Sequence, residues 1–238
     1  VMAANVGNGN IISTGIAADY IFNIATKTLT ITSATAETVL IGNISDNAIT
    51  GDIVITTHAS DVGHAIFNFI EIDMDKGTTP GKIVFTDVNK TGVQNATMNV
   101  EAKLEHDGTM NIINLDQTGD AMIVNFKGST TFAGAVIADS LAGSVNGTIN
   151  VNFSNAAVVL SGGMDMAGVN ATATFSAAAV SDLNGVLDGQ ADNMGNLVIA
   201  NAANAVNFES AIGHTNHLHN ITGNANSTAI FNLGVDTV

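Results

Sequence analysis

Glu71, Asp73 and Asp75 alternate along and just beyond the apolar run Ala65-Asp73. On a β-strand such residues share one face at a spacing of about 6.6 Å, which offers hard oxygen ligands to Ca²⁺ if loop carbonyls from another segment complete the shell. The same pattern describes a solvated strand face, where most carboxylates stay. Asp61, Asp116, Asp120 and Asp192 are scattered over loop-like segments, and neither a Gly-Gly-x-Gly-x-Asp repeat nor an EF-hand loop organises them. Calcium is the one cofactor that this acidity suggests.

A second group is His214, His217 and His219. His-x-His on a strand would point two rings to one side, so His217 and His219 could share Zn²⁺ or Ni²⁺. No Cys and no nearby carboxylate other than Glu209 completes such a site, and a structural or incidental turn cluster is the plainer reading. His58 and His64 flank Asp61 in a loop-like stretch, without a Gly-x-Ser-x-Gly elbow anywhere to support a triad. The chain has no Arg, so phosphate or carboxylate substrates would lack their usual bidentate anchor. We therefore expect no enzyme. Eight Asn-x-Ser/Thr triplets, among them Asn43, Asn89, Asn146 and Asn220, permit glycosylation.

The elements that must carry these residues are β-strands. Short Val/Ile/Phe/Leu runs recur at the close, regular spacing of all-β folds, as at Asp52-Thr56, Lys82-Thr86, Thr97-Leu104, Ala121-Phe126, Thr131-Ile137, Thr148-Phe153 and Ala205-Phe208. Met98, Val100, Ala102 and Leu104 fall on one side of such a run, implying one buried and one wet face. Asp107-Gly108, Asn146-Gly147 and Asn184-Gly185 are turn signals that adopt positive φ cheaply. Ser176 to Gly195 is Ala-rich with Leu183 and Leu187 four apart, which allows a short helix.

Val-Asn-Phe occurs at Val124-Phe126, Val151-Phe153 and Val206-Phe208, and the second interval is close to twice the first, as one and two periods of a repeat would be. Phe-Ala-Gly-Ala-Val from Phe132 parallels Phe-Glu-Ser-Ala-Ile from Phe208. The expected fold is all-β: a β-solenoid for the second half, or a β-sandwich or jelly-roll-like unit, with antiparallel pairing suited to the first half. Residues 1–238 read as one unit, with a division near residue 128 as the conceivable break.

Composition bounds the partners. With 46% hydrophobic residues the chain can bury enough surface to fold, while 11% charged and 5% aromatic residues leave an aliphatic core and an Asn/Thr/Ser/Gly surface. Six Lys against 21 acids give a formal charge of −15, which makes nucleic acid an unsuitable partner and disfavours anionic membranes. No apolar run approaches the roughly 20 residues of a transmembrane helix. Zero Cys fits a large bacterial secreted β-protein, and Val1-Met2-Ala3-Ala4 lacks the regions of a secretion signal, so we expect a mature or excised segment.

Val206-Asn-Phe-Glu-Ser-Ala-Ile-Gly213, Leu218-His-Asn-Ile-Thr-Gly-Asn224 and Lys27-Thr-Leu-Thr-Ile-Thr32 resemble the repeats of autotransporter passengers. The composition is also similar to that of bacterial surface-layer subunits. The resemblance spans most of the chain in style and lacks a C-terminal membrane barrel, so it implies at most a passenger fragment. It implies an extracellular, bacterial cell-surface protein. The expected role is a non-enzymatic structural protein that self-assembles into a surface layer or filament, by calcium-bridged contacts or by exchange of a terminal strand such as Asn5-Ile16 or Ala229-Val238. The alternative is an adhesive parallel β-helix that binds cell-surface glycans or receptors.

Overall fold

The computed structural model describes the backbone of residues 3–6, 9–12, 19–23, 28–32, 38–45, 51–57, 64–74, 81–87, 95–115, 119–140, 147–155, 157–168, 170–176, 182–200 and 205–231. Side chains are described from Thr30 onward, apart from 38–45, 140 and 182. The protein is an all-β solenoid, and no described residue lies in a helix.

Each turn of the chain contributes a strand to each of three parallel ladders. The first ladder stacks Ile53–Thr56, Ile83–Thr86, Met110–Asn114, Val136–Ser140, Met164–Met166 and Leu187–Gly189. Ile53, Ile83, Met110, Val136, Met164 and Leu187 are successive register partners, and their numbers show a turn length that varies along the axis. The second ladder runs through Ala121–Phe126, Thr148–Phe153, Ala171–Phe175, Asn196–Ile199 and Asn220–Gly223. The third runs through Ser129–Phe132, Val158–Leu160, Asp182–Leu183, Ala205–Phe208 and Thr228–Phe231. In the earlier turns the second and third ladders share one long strand, His64–Met74 or Asn95–His106.

The first half is thus solenoid as well, contrary to the antiparallel pairing its long strands suggest. Antiparallel pairs are confined, among the described residues, to Ala3–Val6 with Gly9–Ile12 and Asp19–Asn23 with Thr28–Thr32. The long strands are long because they pass a corner without a loop. The register shifts between Phe69 and Glu71, where Glu101 and Ala102 oppose the single Ile70. Such a bulge bends a strand while its ladder continues. Accordingly Ala102 is exposed, although Met98, Val100 and Leu104 are buried.

Alternation accounts for the interior. Ile53, Ile83, Met110, Val136 and Leu187 point inward from the first ladder, with Ile55, Phe85, Ile112, Ala138 and Met166 beside them. One continuous hydrophobic core runs from Ile31 to Phe208 and passes residue 128 without interruption. Identical positions on successive turns stack their side chains. Phe126 and Phe153 lie 5.2 Å apart at 21°, and Phe153 and Phe175 4.9 Å apart at 7°. Phe126 meets Phe132, and Phe175 meets Phe208, edge to face across the interior.

The two Val-Asn-Phe segments at 124 and 151 are register partners, as their spacing predicts. The third, Val206-Phe208, lies on the third ladder instead. Phe132 and Phe208 do occupy equivalent places, each ending a third-ladder strand just before a first-ladder position, Val136 or Ile212. Leu183 and Leu187 end and begin two separate strands around a corner, both buried, so their spacing of four belongs to a bend and not to a helix. The run Thr131-Ile137 is likewise broken into two strands at Gly134.

The corner between the third and first ladders is a column of glycines. A Cβ at Gly81 would lie 2.1 Å from the Gly51 carbonyl oxygen, and one at Gly108 2.4 Å from that of Gly81. At Gly134 it would lie 2.2 Å from the Gly108 oxygen. None of these glycines has positive φ, and neither has Gly185. They are required by the close approach of stacked backbones, not by turn conformation. The other corners are tied by buried polar groups. The Leu115 N–H donates to Asp87 Oδ1, and Asn114 Nδ2 donates to the Thr148 carbonyl at 3.4 Å. These bonds satisfy backbone groups that leave the ladders.

Candidate functional surfaces

With the interior filled, chemistry is confined to the outward positions and to a few buried polar groups. On the second ladder the outward residues Asn68, Asn99, Asn125 and Asn152 stack turn upon turn. Each of the last three donates from Nδ2 to Oδ1 of the Asn before it, at 2.7, 2.8 and 2.8 Å. The His64 Nε2 lies 2.7 Å from Thr97 Oγ1 on the same face. This face is an amide ladder whose members satisfy one another.

On the third ladder Glu71 and Asp73 do share the outward face expected of them; Asp75, like His58, Asp61 and Asp116, lies outside the described residues. What the sequence did not place is Lys103. It is the register partner of Glu71 in the next turn. Its Nζ lies 2.9 Å from Glu105 Oε2 and 3.9 Å from Asp73 Oδ2. The hydrogen bond to Glu105 raises its pKa, with Asp73 and Glu71 adding to the effect. Glu71 and Asp73, expected to offer oxygen ligands to Ca²⁺, therefore lie beside an ammonium group. The neighbouring Lys127–Glu101 pair, 2.7 Å apart, repeats the arrangement across the next turn.

His217 and His219 are both exposed and flank Leu218, which packs against the core. The segment is not a strand. The His217 ring is met by Asp192 from the preceding turn: Nδ1 lies 3.0 Å from Asp192 Oδ1, and the His217 backbone N–H donates to the same oxygen at 3.0 Å. These bonds, the backbone one foremost, hold the Asp192 carboxyl below its usual range. Glu209, the sequence neighbour, does not take this place.

Asp188 acts in the same way one strand earlier. Its Oδ2 accepts the Thr215 N–H at 2.9 Å and its Oδ1 the Asn216 N–H at 2.9 Å. Together Asp188 and Asp192 fasten the segment that follows Ile212, where the first ladder has only a single bridge to Leu187. Asp165 is the register partner of Asp188. Burial raises its pKa, helped by the charges of Asp188 and Asp139. Asp165 and Asp188 line an open cleft of about 380 Å³ with Gln190 and His214. Among the described residues no group of three or more His, Asp or Glu is arranged to hold a metal ion.

Asp87, Asp120 and His106 are titratable groups buried among the described residues, and His106 stands among the stacked core positions. His106 takes the place that Met74 holds in the turn before and Phe132 in the turn after, and it is 2% exposed. Its Nε2 donates to the Thr109 carbonyl at 3.1 Å, and its ring meets Phe132 edge-on at 6.1 Å. Burial pushes its pKa below the ordinary 6.5. The unfolded chain then takes up a proton that the folded chain excludes, so stability must fall as the pH drops below about 6.5, by up to about 1.4 kcal/mol per pH unit until the folded histidine also titrates. We expect His106→Met to remove this part of the acid sensitivity. Urea titrations of both proteins at pH 7.5 and 5.5 check it; an unchanged difference between the two pH values would refute it.

The sequence could have found these pairs only through its period. Lys103 follows Asp73 by one turn, and His217 follows Asp192 by one turn. No protein-family model, curated protein or solved structure matches the chain.

Proposed function

We propose that the chain is a non-catalytic, adhesive segment of an extracellular bacterial surface protein, a β-solenoid that presents its outer ladders to cell-surface glycans or receptors. The observation that supports this most is the stacking itself. The turns from Ile53 to Phe208 bury one continuous apolar core, and the outward face of the second ladder carries a column of asparagines, Asn68, Asn99, Asn125 and Asn152, beside the half-buried Ile66, Ile123 and Val198. Such a face offers amide groups at the spacing of about 4.8 Å between turns, next to aliphatic side chains. Repetition of one surface along an axis suits contact with extended or repeating partners. The acidic surface, with a net charge of −15, keeps the partner class away from other polyanions.

A second reading, self-assembly into a surface layer or filament, draws on the turn 220–231, where Ile221, Ile230 and Phe231 are exposed. Exposed apolar side chains next to strand edges invite pairing between copies. In that reading calcium would bridge outward carboxylates such as Glu71 and Asp73 between molecules.

Electron microscopy of the purified protein, in millimolar calcium and again with a chelator, separates the two. The adhesive reading expects discrete particles in both conditions. Ordered lattices or filaments would overturn it in favour of a building material, and their loss on chelation would assign the acidic residues to metal-bridged contacts.

A further inference from the structure

Five of the Asn-x-Ser/Thr triplets fall at positions whose side chains the structure describes, and their surroundings differ. Asn152 lies within a second-ladder strand, its Nδ2 donating to Asn125 Oδ1. Asn95 opens another strand, and its Oδ1 accepts the Ala121 N–H at 3.1 Å. Asn170 is half-buried, and its backbone carbonyl accepts the Ile149 N–H at 3.2 Å. Asn220 is exposed, yet its Nδ2 donates to Asn196 Oδ1 at 3.3 Å.

Asn226 differs from all four. It sits on the tight turn between Asn220–Gly223 and Thr228–Phe231, with φ of 67°. The turn is closed by the Ser227 N–H and Ser227 Oγ, both donating to the Asn224 carbonyl, at 3.0 and 2.6 Å. The Asn226 carboxamide is exposed and makes no hydrogen bond to any described residue. The hydroxyl residue of its triplet, Thr228, is exposed as well. A left-handed corner favours Asn in place of a β-branched residue, and it throws the side chain clear of the ladder.

N-glycosyl transfer needs such a place. The transferase must take hold of the amide nitrogen, bring its lone pair out of conjugation, and read a hydroxyl two residues on. An amide already donating within a ladder resists all three, because releasing it strands a partner. We propose that Asn226 is a glycosylation acceptor of the folded protein. In the step, a bond forms between Nδ2 and the anomeric carbon of a nucleotide-activated hexose. The bond from that carbon to the donor's phosphate oxygen breaks, the nucleoside diphosphate leaves, and one amide proton passes to the transferase and then to solvent.

The test uses a soluble asparagine hexosyltransferase and UDP-glucose, with an enzyme first shown to modify synthetic peptides 93–99, 150–156 and 222–230. Offered the folded chain, it is expected to add hexose at Asn226 at least about tenfold faster than at Asn95 or Asn152, which become available only through local opening. Peptide mapping by mass spectrometry reads the sites. Thr228→Val, which keeps Asn226 and its turn, should abolish modification there; Asn226→Gln should do the same, although Gln is strained at this φ. A folded chain that stays unmodified at Asn226 while the peptide 222–230 accepts hexose would overturn the proposal. So would modification of Asn152 at an equal rate.

Discussion

Gly134→Val is expected to leave little or no folded protein at room temperature. The reason lies in the neighbouring turn. A Cβ at residue 134 would stand 2.2 Å from the Gly108 carbonyl oxygen and 2.4 Å from its carbon, backbone atoms that no side-chain rotation can move. The Gly162 backbone is stacked just as closely on the other side. Relief would require the two turns to part at this corner, which would break the hydrogen bond from Met110 N–H to the Ala135 carbonyl, now 3.0 Å. A cost above about 4 kcal/mol belongs to this mechanism class and is a large share of the stability of an ordinary domain. Ala133→Ser, at the exposed residue next door, should change stability by less than about 0.5 kcal/mol. Urea unfolding followed by circular dichroism compares the two. A Gly134→Val protein that melts within a few degrees of the wild type would show that the corner is not close-packed as described.

Phe153→Ala should cost about 3–5 kcal/mol, because it empties the middle of an aromatic column. Phe153 is fully buried between Phe126 and Phe175, with both rings near-parallel to its own. Removal leaves a cavity that two rigid ladders cannot close, and it forfeits two ring contacts beyond the lost burial. Because each turn of a solenoid touches only its neighbours, the damage should be local before it is global. Amide exchange should quicken first in the strands Ala121–Phe126, Thr148–Phe153 and Ala171–Phe175, and least in Ile53–Thr56. Phe153→Leu, which keeps most of the volume, should recover more than half of the loss. A loss below about 1 kcal/mol for the alanine variant, or uniform exchange along the chain, would contradict the stacked core.

Much of the local structure is legible in the sequence itself. The runs Thr148-Phe153 and Ala205-Phe208 are strands with those bounds, and the inward and outward residues of Ala121–Phe126 follow its alternation. The turn glycines were legible as turns, but for the wrong reason. Gly108 and Gly185 look like residues chosen for positive φ, and both are needed for space. That demand originates in the backbone of another turn, so nothing adjacent in sequence signals it. The proposed acidic and histidine clusters show the same limit. Glu71 and Asp73 were correctly put on one face, yet Lys103, which lies between their charges and that of Glu105, comes from the next turn. Glu209 is the carboxylate near His217 in sequence, whereas the partner of His217 is Asp192.

Composition and alternation are enough to establish that this chain is all-β, that its core is aliphatic with a few large Phe, and that its surface is acidic and amide-rich. Both are local quantities, and each strand states its own. The spacing of Val124 and Val151 already points to stacked turns in the second half; that the first half stacks in parallel as well, and which ladder each strand joins, follows from the three-dimensional arrangement alone. Val124-Asn-Phe126 and Val206-Asn-Phe208 have the same in-out-in pattern, yet they line different faces. An alternating strand fits any face equally well. Its place is settled by the loops, whose lengths vary so that the step from Ile53 to Ile83 is longer than the step from Met164 to Leu187.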